Sequence, residues 1–309
     1  MHQKTTLSYL DATGEIAYNM TNDYMFRVIL QKNQKVLKGL ICSLLHLHPK
    51  QIQSIEIKNP INLSEEITGK DFILDINVIL NTNTHINLEM QVVNEHNWPE
   101  RSLSYLCRTF DQLFQGQKYE EALPVFHIGF LDFTLFPDHP EFYATYKMMN
   151  IKNHHVYSDK FVLSVINLNQ TELATDEDKD YGLDHWARAF KAKTWEELKM
   201  LAKDNEFLHE TADSLYKANA DEIMRQRCRA REDAERHERT MKRDIRVLKE
   251  ENASLKKLTS SLEEKNASLI QHTSSLEENI VSLKEQIARL EILLQQSNKT
   301  SLKKEDSEA

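Results

Sequence analysis

The sequence predicts an α/β domain, a sheet flanked by helices, followed by one long coiled-coil helix. Three features predict it: segments patterned in the order helix, strand, strand, strand, helix, strand; an alternating hairpin in ILDINVILNTNTHINLEMQVV (73–93); and leucine at every seventh position from Leu248 to Leu290. A chain of 309 residues has room for one sizeable domain plus extensions. With 40% hydrophobic and 28% charged residues but only 6 Gly and 6 Pro, it reads as helix-rich.

Residues 1–20 read as a polar leader. TNDYMFRVIL then opens a helix with Thr21 or Asn22 as N-cap, and NQKVLKGLICSLLHL continues it to Pro49. IQSIEIKNP is a short strand. LDINVIL and INLEMQV alternate as strands that bury one side, with NTNT between them as the turn. In WPERSLSYLCRTFDQLFQG, Leu103, Leu106, Phe110 and Leu113 mark the stripe expected to be buried. ALPVFHIGFLDFTLF is a long apolar strand, EFYATYKMM and KFVLSVINL are further strands, and 182–216 is helical. These segments make 21–216 one globular domain.

From 217 the composition changes. Residues 217–243 form a charged, Arg-rich helical linker, 244–297 a leucine-heptad coiled coil, and 298–309 a tail expected to be disordered. Leu248, Leu255, Leu262, Leu269, Leu276, Leu283 and Leu290 occupy d positions; Ile245, Asn252, Thr259, Asn266, Thr273, Ile280 and Ile287 occupy a. Polar a residues favour a defined register and two strands, and Asp244 with Lys249 and Glu251 with Lys256 have the g-to-e spacing that attracts across a parallel pair. A parallel homodimer is expected. NASLKKLTSSLEEK (252–265) and NASLIQHTSSLEEN (266–279) agree at 10 of 14 positions, and a 14-residue unit lengthens the rod without breaking its phase.

The net charge is −9, with 20 basic against 30 acidic residues over 1–216, 9 against 6 over 217–243 and 10 against 12 over 244–309. An acidic main domain speaks against nucleic-acid binding by bulk charge, so a phosphate partner requires a local basic patch or a metal. Cys42, Cys107 and Cys228 form no local metal-ligand pattern, and a reducing cytoplasm fits them. The amino terminus lacks a basic region followed by an apolar block, and LKGLICSLLHL is too short to span a bilayer. The expectation is a soluble, cytoplasmic protein with no membrane partner.

The hairpin carries the candidate chemistry. If its turn holds an odd number of residues, Asp75 shares a sheet face with Glu89 and Gln91. Both carboxylates sit in densely apolar strands, so that face is expected to be covered. Two buried carboxylates held together repel unless protonated or bridged by a cation, and oxygen ligands without nearby Cys or His favour magnesium or manganese over zinc. Arg101, Tyr105 and Arg108, at i, i+4 and i+7, share one helix face and are candidates for contacting DNA phosphates, with surface salt bridging as the competing account.

TNDYMF, FILDINVIL, INLEMQV, WPERSLSYLCRTFDQL and HIGFLDFTLF, in that order, resemble the Rpn family of recombination-promoting nucleases, also called PD-(D/E)XK nuclease family transposases. The resemblance runs from about residue 20 to about 240. It implies a restriction-endonuclease-like core, a mixed sheet flanked by helices, and a metal-dependent DNA endonuclease associated with recombination or mobile elements. It implies that Asp75 and Glu89 are catalytic metal ligands for Mg2+ or Mn2+, joined by the Met90 carbonyl, and that Gln91 stands at the position of the superfamily's lysine. Asp23, within the motif NDYMF, is implied as an outer carboxylate, against its plain role as a first-turn acid facing the helix dipole.

Two rival readings stay open. One is a catalytically decayed nuclease fold kept as a coiled-coil dimeric interaction or DNA-associated protein, which Asn77 and Gln91 support because neither can act as a base. The other is a leucine-zipper DNA-binding protein, which fares badly: Ala230 and Glu238 stand where a basic region needs asparagine and arginine, and Glu232, Asp233, Glu235 and Glu238 would face phosphates.

Overall fold

The computed structural model describes residues 8–60, 75–111 and 117–305, with side chains described to 294. It divides into two compact units, Met1–Glu235 and Arg236–Ala309. In the first, α1 (Asp23–Lys32) and α2 (Gln34–Leu44) precede β1 (Ile55–Ile57), β2 (Ile76–Leu80) and β3 (Thr84–Gln91). Then follow α3 (Trp98–Phe110), β4 (Val125–Leu131), β5 (Tyr143–Lys147), β6 (Phe161–Asn167), α4 (Asp176–Asp180), α5 (Leu183–Lys191), α6 (Trp195–Ala202) and α7 (Glu206–Ala220). The long helix α8 (Glu222–Glu305) begins in this unit and makes up the second. No helix among the described residues is long and apolar enough to cross a membrane.

The strands form one six-stranded mixed sheet in the order β1-β2-β3-β4-β6-β5. β1, β2 and β3 pair antiparallel, β3, β4 and β6 pair parallel, and β5 returns antiparallel at the edge. The parallel pair β3 and β4 is joined through α3, which the geometry of parallel connections requires. Ile76, Val78, Ile86, Leu88, Met90, Ile128, Phe130 and Ile166 point to one face and join the main core with α1, α2 and α5. On the opposite face Trp98 of α3 packs with Leu131 and Val165. β3 is therefore covered on both faces, and every residue from Ile86 to Met90 is buried.

Local chemistry sets the breaks. Asn22, one of the two anticipated caps, accepts from the Met25 amide at 3.1 Å to start α1. The anticipated single helix to Pro49 is interrupted at Asn33, whose amide closes α1 on the Ile29 carbonyl and whose side chain caps α2 through the Lys35 and Val36 amides. The β2–β3 turn consists of Asn81, Thr82 and Asn83, with Asn81 and Thr82 at φ of 50° and 62°. The Asn81 side chain tolerates this conformation and accepts from the Gln53 amide at 2.7 Å, tying the turn to the segment before β1.

Four further expectations differ from the structure. Leu103 is 47% exposed; the buried side of α3 is Trp98, Ser102 and Leu106, because the helix is oriented by Trp98 entering above β4. Leu113 and the first residues of the ILDINVIL motif lie outside the described residues. Within the described part of the leader, from residue 8 on, Tyr9, Ile16 and Met20 are buried in the main core. The Arg-rich linker divides, since Met224 and Cys228 of α8 also lie in that core, and α8 is helical to Glu305, well into the segment expected as a disordered tail, whose last residues lie outside the described ones.

Gly129 of β4 is where Trp98 meets the sheet: a Cβ added there would lie 2.0 Å from Trp98 Cζ2. Gly129→Ala is expected to lower unfolding free energy by about 1–3 kcal/mol through overpacking, measured by urea denaturation. An unchanged midpoint would contradict this packing.

Candidate metal centre

The turn of three residues fixes the parity of the hairpin. Ile76 pairs with Leu88, Asn77 with Asn87 and Val78 with Ile86. The next rung outward sets Asp75, the residue before β2, opposite Glu89. Directly opposed side chains on an antiparallel pair have Cβ atoms about 4.5–5.5 Å apart. The two carboxylates thus occupy one face, both buried, with Asn77 and Asn87 one rung deeper. The parallel register adds His127 and Gly129 of β4 beside Asn87 and Glu89 on that face.

Each acid is held from behind by a cation. Arg27 of α1 is wholly buried; its Nη1 donates to the Asp75 main-chain carbonyl, its Nη2 to the Asn59 carbonyl, and its Nε to Gln31 Oε1 at 3.2 Å. Asn59 completes the clasp, donating from Nδ2 to the Asp75 carbonyl at 2.9 Å and accepting from the Asn77 amide at 2.9 Å. On the other side Glu89 Oε1 accepts from Arg101 Nε at 2.7 Å and pairs with Arg101 Nη2 at 2.6 Å.

These contacts leave two oxygens over. Asp75 Oδ1 and Glu89 Oε2 are buried and have no hydrogen-bond partner. Burial pushes both carboxyls above their ordinary pKa, Arg27 pulls Asp75 back, Arg101 pulls Glu89 back, and the charge on Asp75 pushes Glu89 up further. An unpartnered carboxylate oxygen on each of two opposed buried acids is what a divalent cation satisfies. Among the described residues no group of three or more His, Cys, Asp or Glu is arranged to hold a metal. Among the described residues the two opposed acids offer two hard oxygens, a pair suited to an ion that keeps several waters and takes phosphate oxygens as further ligands.

Beneath Glu89 lies a histidine of β4. His127 is wholly buried, with Nδ1 2.9 Å from Asn87 Nδ2 and Nε2 3.6 Å from Glu89 Oε2. Accepting at Nδ1 places the proton on Nε2, toward Glu89. Burial, reinforced by Arg101, pushes its pKa down to about 4, so the ring is neutral. Tyr105 stacks on it with centroids 6.0 Å apart and planes 15° apart, and Arg101 and Arg108 lie 5.6 and 5.9 Å from the Tyr105 centroid. Arg101, Tyr105 and Arg108 do share a face, but the Arg101 guanidinium is turned onto Glu89 and Arg108 is the exposed cation.

Gln91 and Asp23 stand apart from the paired acids. Gln91 points to the same face by parity, yet its Nε2 donates to the Val93 carbonyl at 2.9 Å. Asp23 Oδ2 is held by Arg231 of α8 through Nε and Nη2, both at 2.6 Å, while Arg227 Nη1 donates to the Tyr24 hydroxyl at 3.0 Å. The NDYMF motif therefore docks the root of α8. Arg27, Asn59, Asn87 and His127 were missed in the sequence; His127 interrupts an apolar strand as Glu89 does, and that was the available signal.

The raised pKa of Asp75 means that its ionisation opposes folding. The stability contributed by this group is present below its ordinary pKa and is lost as pH rises through the raised one. Asp75→Asn is therefore expected to raise the metal-free protein's stability at pH 7, seen as a higher midpoint in thermal melts with chelator. The same variant is expected to lose the melting-temperature gain that added manganese gives the wild type. A less stable variant that still responds to manganese would contradict the site.

Neither a curated protein nor a solved structure matches the chain. Residues 20–245 match the family model described as PD-(D/E)XK nuclease family transposase, a span that takes in the whole sheet, the paired acids and the first turns of α8. The mixed sheet flanked by helices is consistent with a PD-(D/E)XK core. Enzymes with that core generally use divalent metals, and the chain, matched over well more than half its length, belongs to the PD-(D/E)XK nuclease family transposases.

Proposed function

We propose that the chain is a DNA endonuclease that hydrolyses phosphodiester bonds with Mg2+ or Mn2+, serves recombination or mobile DNA, and works as two chains joined through α8. The observation that carries the reading is the pair of unpartnered oxygens, Asp75 Oδ1 and Glu89 Oε2, on opposed residues of one buried sheet face. Asp75 and Glu89 would hold the ion. When bound, it activates water and offsets charge on the scissile phosphate.

The rest of the chemistry belongs to the chain's own residues. Arg27 and Asn59 fix the main chain of Asp75, and Arg101 fixes one oxygen of Glu89, so the other oxygens stay available. Neutral His127, wholly buried, sets its Nε2 3.6 Å from Glu89 Oε2. Gln91 cannot remove a proton near neutral pH; rotated away from the Val93 carbonyl, it orients water through its amide. Arg108 and Tyr105 offer the exposed side of α3 to a DNA phosphate, the local basic patch that an acidic domain requires.

The decayed-nuclease reading is favoured by one observation, the commitment of the Gln91 amide to the Val93 carbonyl just past the end of β3. Plasmid cleavage with Mg2+ or Mn2+ separates the two. Wild type is expected to cut, Asp75→Ala and Glu89→Ala to lose activity on the order of 10²–10³-fold while remaining folded, and Gln91→Lys to cut faster. An inactive wild type with an active Gln91→Lys would establish decay, and indifference to both alanine variants would remove the site.

A further inference from the structure

Helix α8 presents an apolar seam that its own chain does not cover. Leu248, Leu255, Leu262, Leu269, Leu276, Leu283 and Leu290 are all exposed, as are Ile245, Ile280 and Ile287. No glycine or proline interrupts the helix between Glu222 and Glu305. A seam repeating every seven residues over this length fits a second helix with the same repeat.

The tandem 14-residue repeat makes the alignment of that second helix ambiguous, because a slip of two heptads leaves leucine facing leucine. The charges beside the seam remove the ambiguity. With two parallel chains in register, Asp244 meets Lys249 and Glu251 meets Lys256 across the interface, and no g-to-e contact brings like charges together. After a 14-residue slip, Asp244 meets Glu263 and Lys265 meets Lys284 on one side, and Lys265 meets Lys256 on the other. The a layers agree: in register each residue faces its own copy, Asn on Asn at 252 and 266, whereas the slip sets Asn266 against Ile280 and Thr273 against Ile287. An antiparallel pair sets a against d, facing the Asn amides with leucine and leaving them without a polar partner.

Resting on the pairing of chains proposed above, we propose that residues 244–294 bind a second copy of this chain as a two-stranded, parallel, in-register coiled coil, with Lys265 as the residue that blocks the slip its repeat invites. Ile at the terminal a layers with Leu at d favours two strands over three.

The test uses the full chain carrying Cys107→Ser, since Cys107 is the exposed thiol and Cys42 and Cys228 are buried. Light scattering is expected to give twice the chain mass. Leu262→Cys is expected to form an interchain disulfide under mild oxidation. An equimolar mixture of tagged Leu255→Cys and untagged Leu269→Cys is expected to give no tagged-to-untagged disulfide. Adding Lys265→Glu to both should make that cross-link appear without changing the mass, because the two of the three like-charge slip contacts that involve residue 265 become attractive while position 265 still faces Ile270 in register. A single-chain mass overturns the pairing itself. A dimer that lacks the Leu262→Cys disulfide, or a dominant 255-to-269 cross-link without Lys265→Glu, overturns the register while the pairing stands. A three-chain mass overturns the two-stranded state.

Discussion

Two like charges on one buried rung are the constraint around which this domain is arranged. A three-residue turn makes the β2–β3 register even and sets Asp75 opposite Glu89. A turn one residue longer or shorter would move one acid to the other face, into the apolar core. Everything adjacent to the rung offsets the consequence. Arg27 lies behind one acid and Arg101 beside the other, and burial still pushes both carboxyls upward. A wholly buried guanidinium whose direct hydrogen-bond acceptors are neutral is costly by itself. Its position makes sense because Asp75 is its charge partner.

The two helices that flank the sheet have distinct tasks. α1 reaches the candidate centre through Arg27 and, one turn earlier, the root of α8 through Asp23 and Arg231. α3 seals the other face: Trp98 rests where Gly129 has no side chain, Arg101 reaches Glu89, and Tyr105 lies over His127. The family match ends at residue 245, close to where the helix leaves the domain and the leucine seam begins. The nuclease-family domain and the leucine seam thus fall in separate units of one chain that share a helix.

Much of this was legible in the residues. Alternation in LDINVIL and INLEMQV gave the strands, and the short polar turn between them allowed the parity that unites the acids. The leucine spacing gave the long helix. What stayed hidden depends on tertiary contact. The break at Asn33 is a capping event inside an otherwise continuous helical pattern. Leu103 reads as buried by spacing, but Trp98 sets the rotation of α3. Arg27, Asn59 and His127 lie far in sequence from the acids they serve, and only the folded sheet brings them together. Arg101 was singled out for phosphate, and no spacing rule reveals that its nearest anion is Glu89.

The central claim is that Asp75 and Glu89 grip the same ion. Anomalous diffraction from crystals soaked in manganese tests it most directly. The account predicts one peak between the two carboxylates, about 2.2 Å from Asp75 Oδ1 and from Glu89 Oε2, with Arg101 still on Glu89 Oε1. A peak bound to only one of them, or density at that rung explained by water alone while the soak labels other sites, would contradict it.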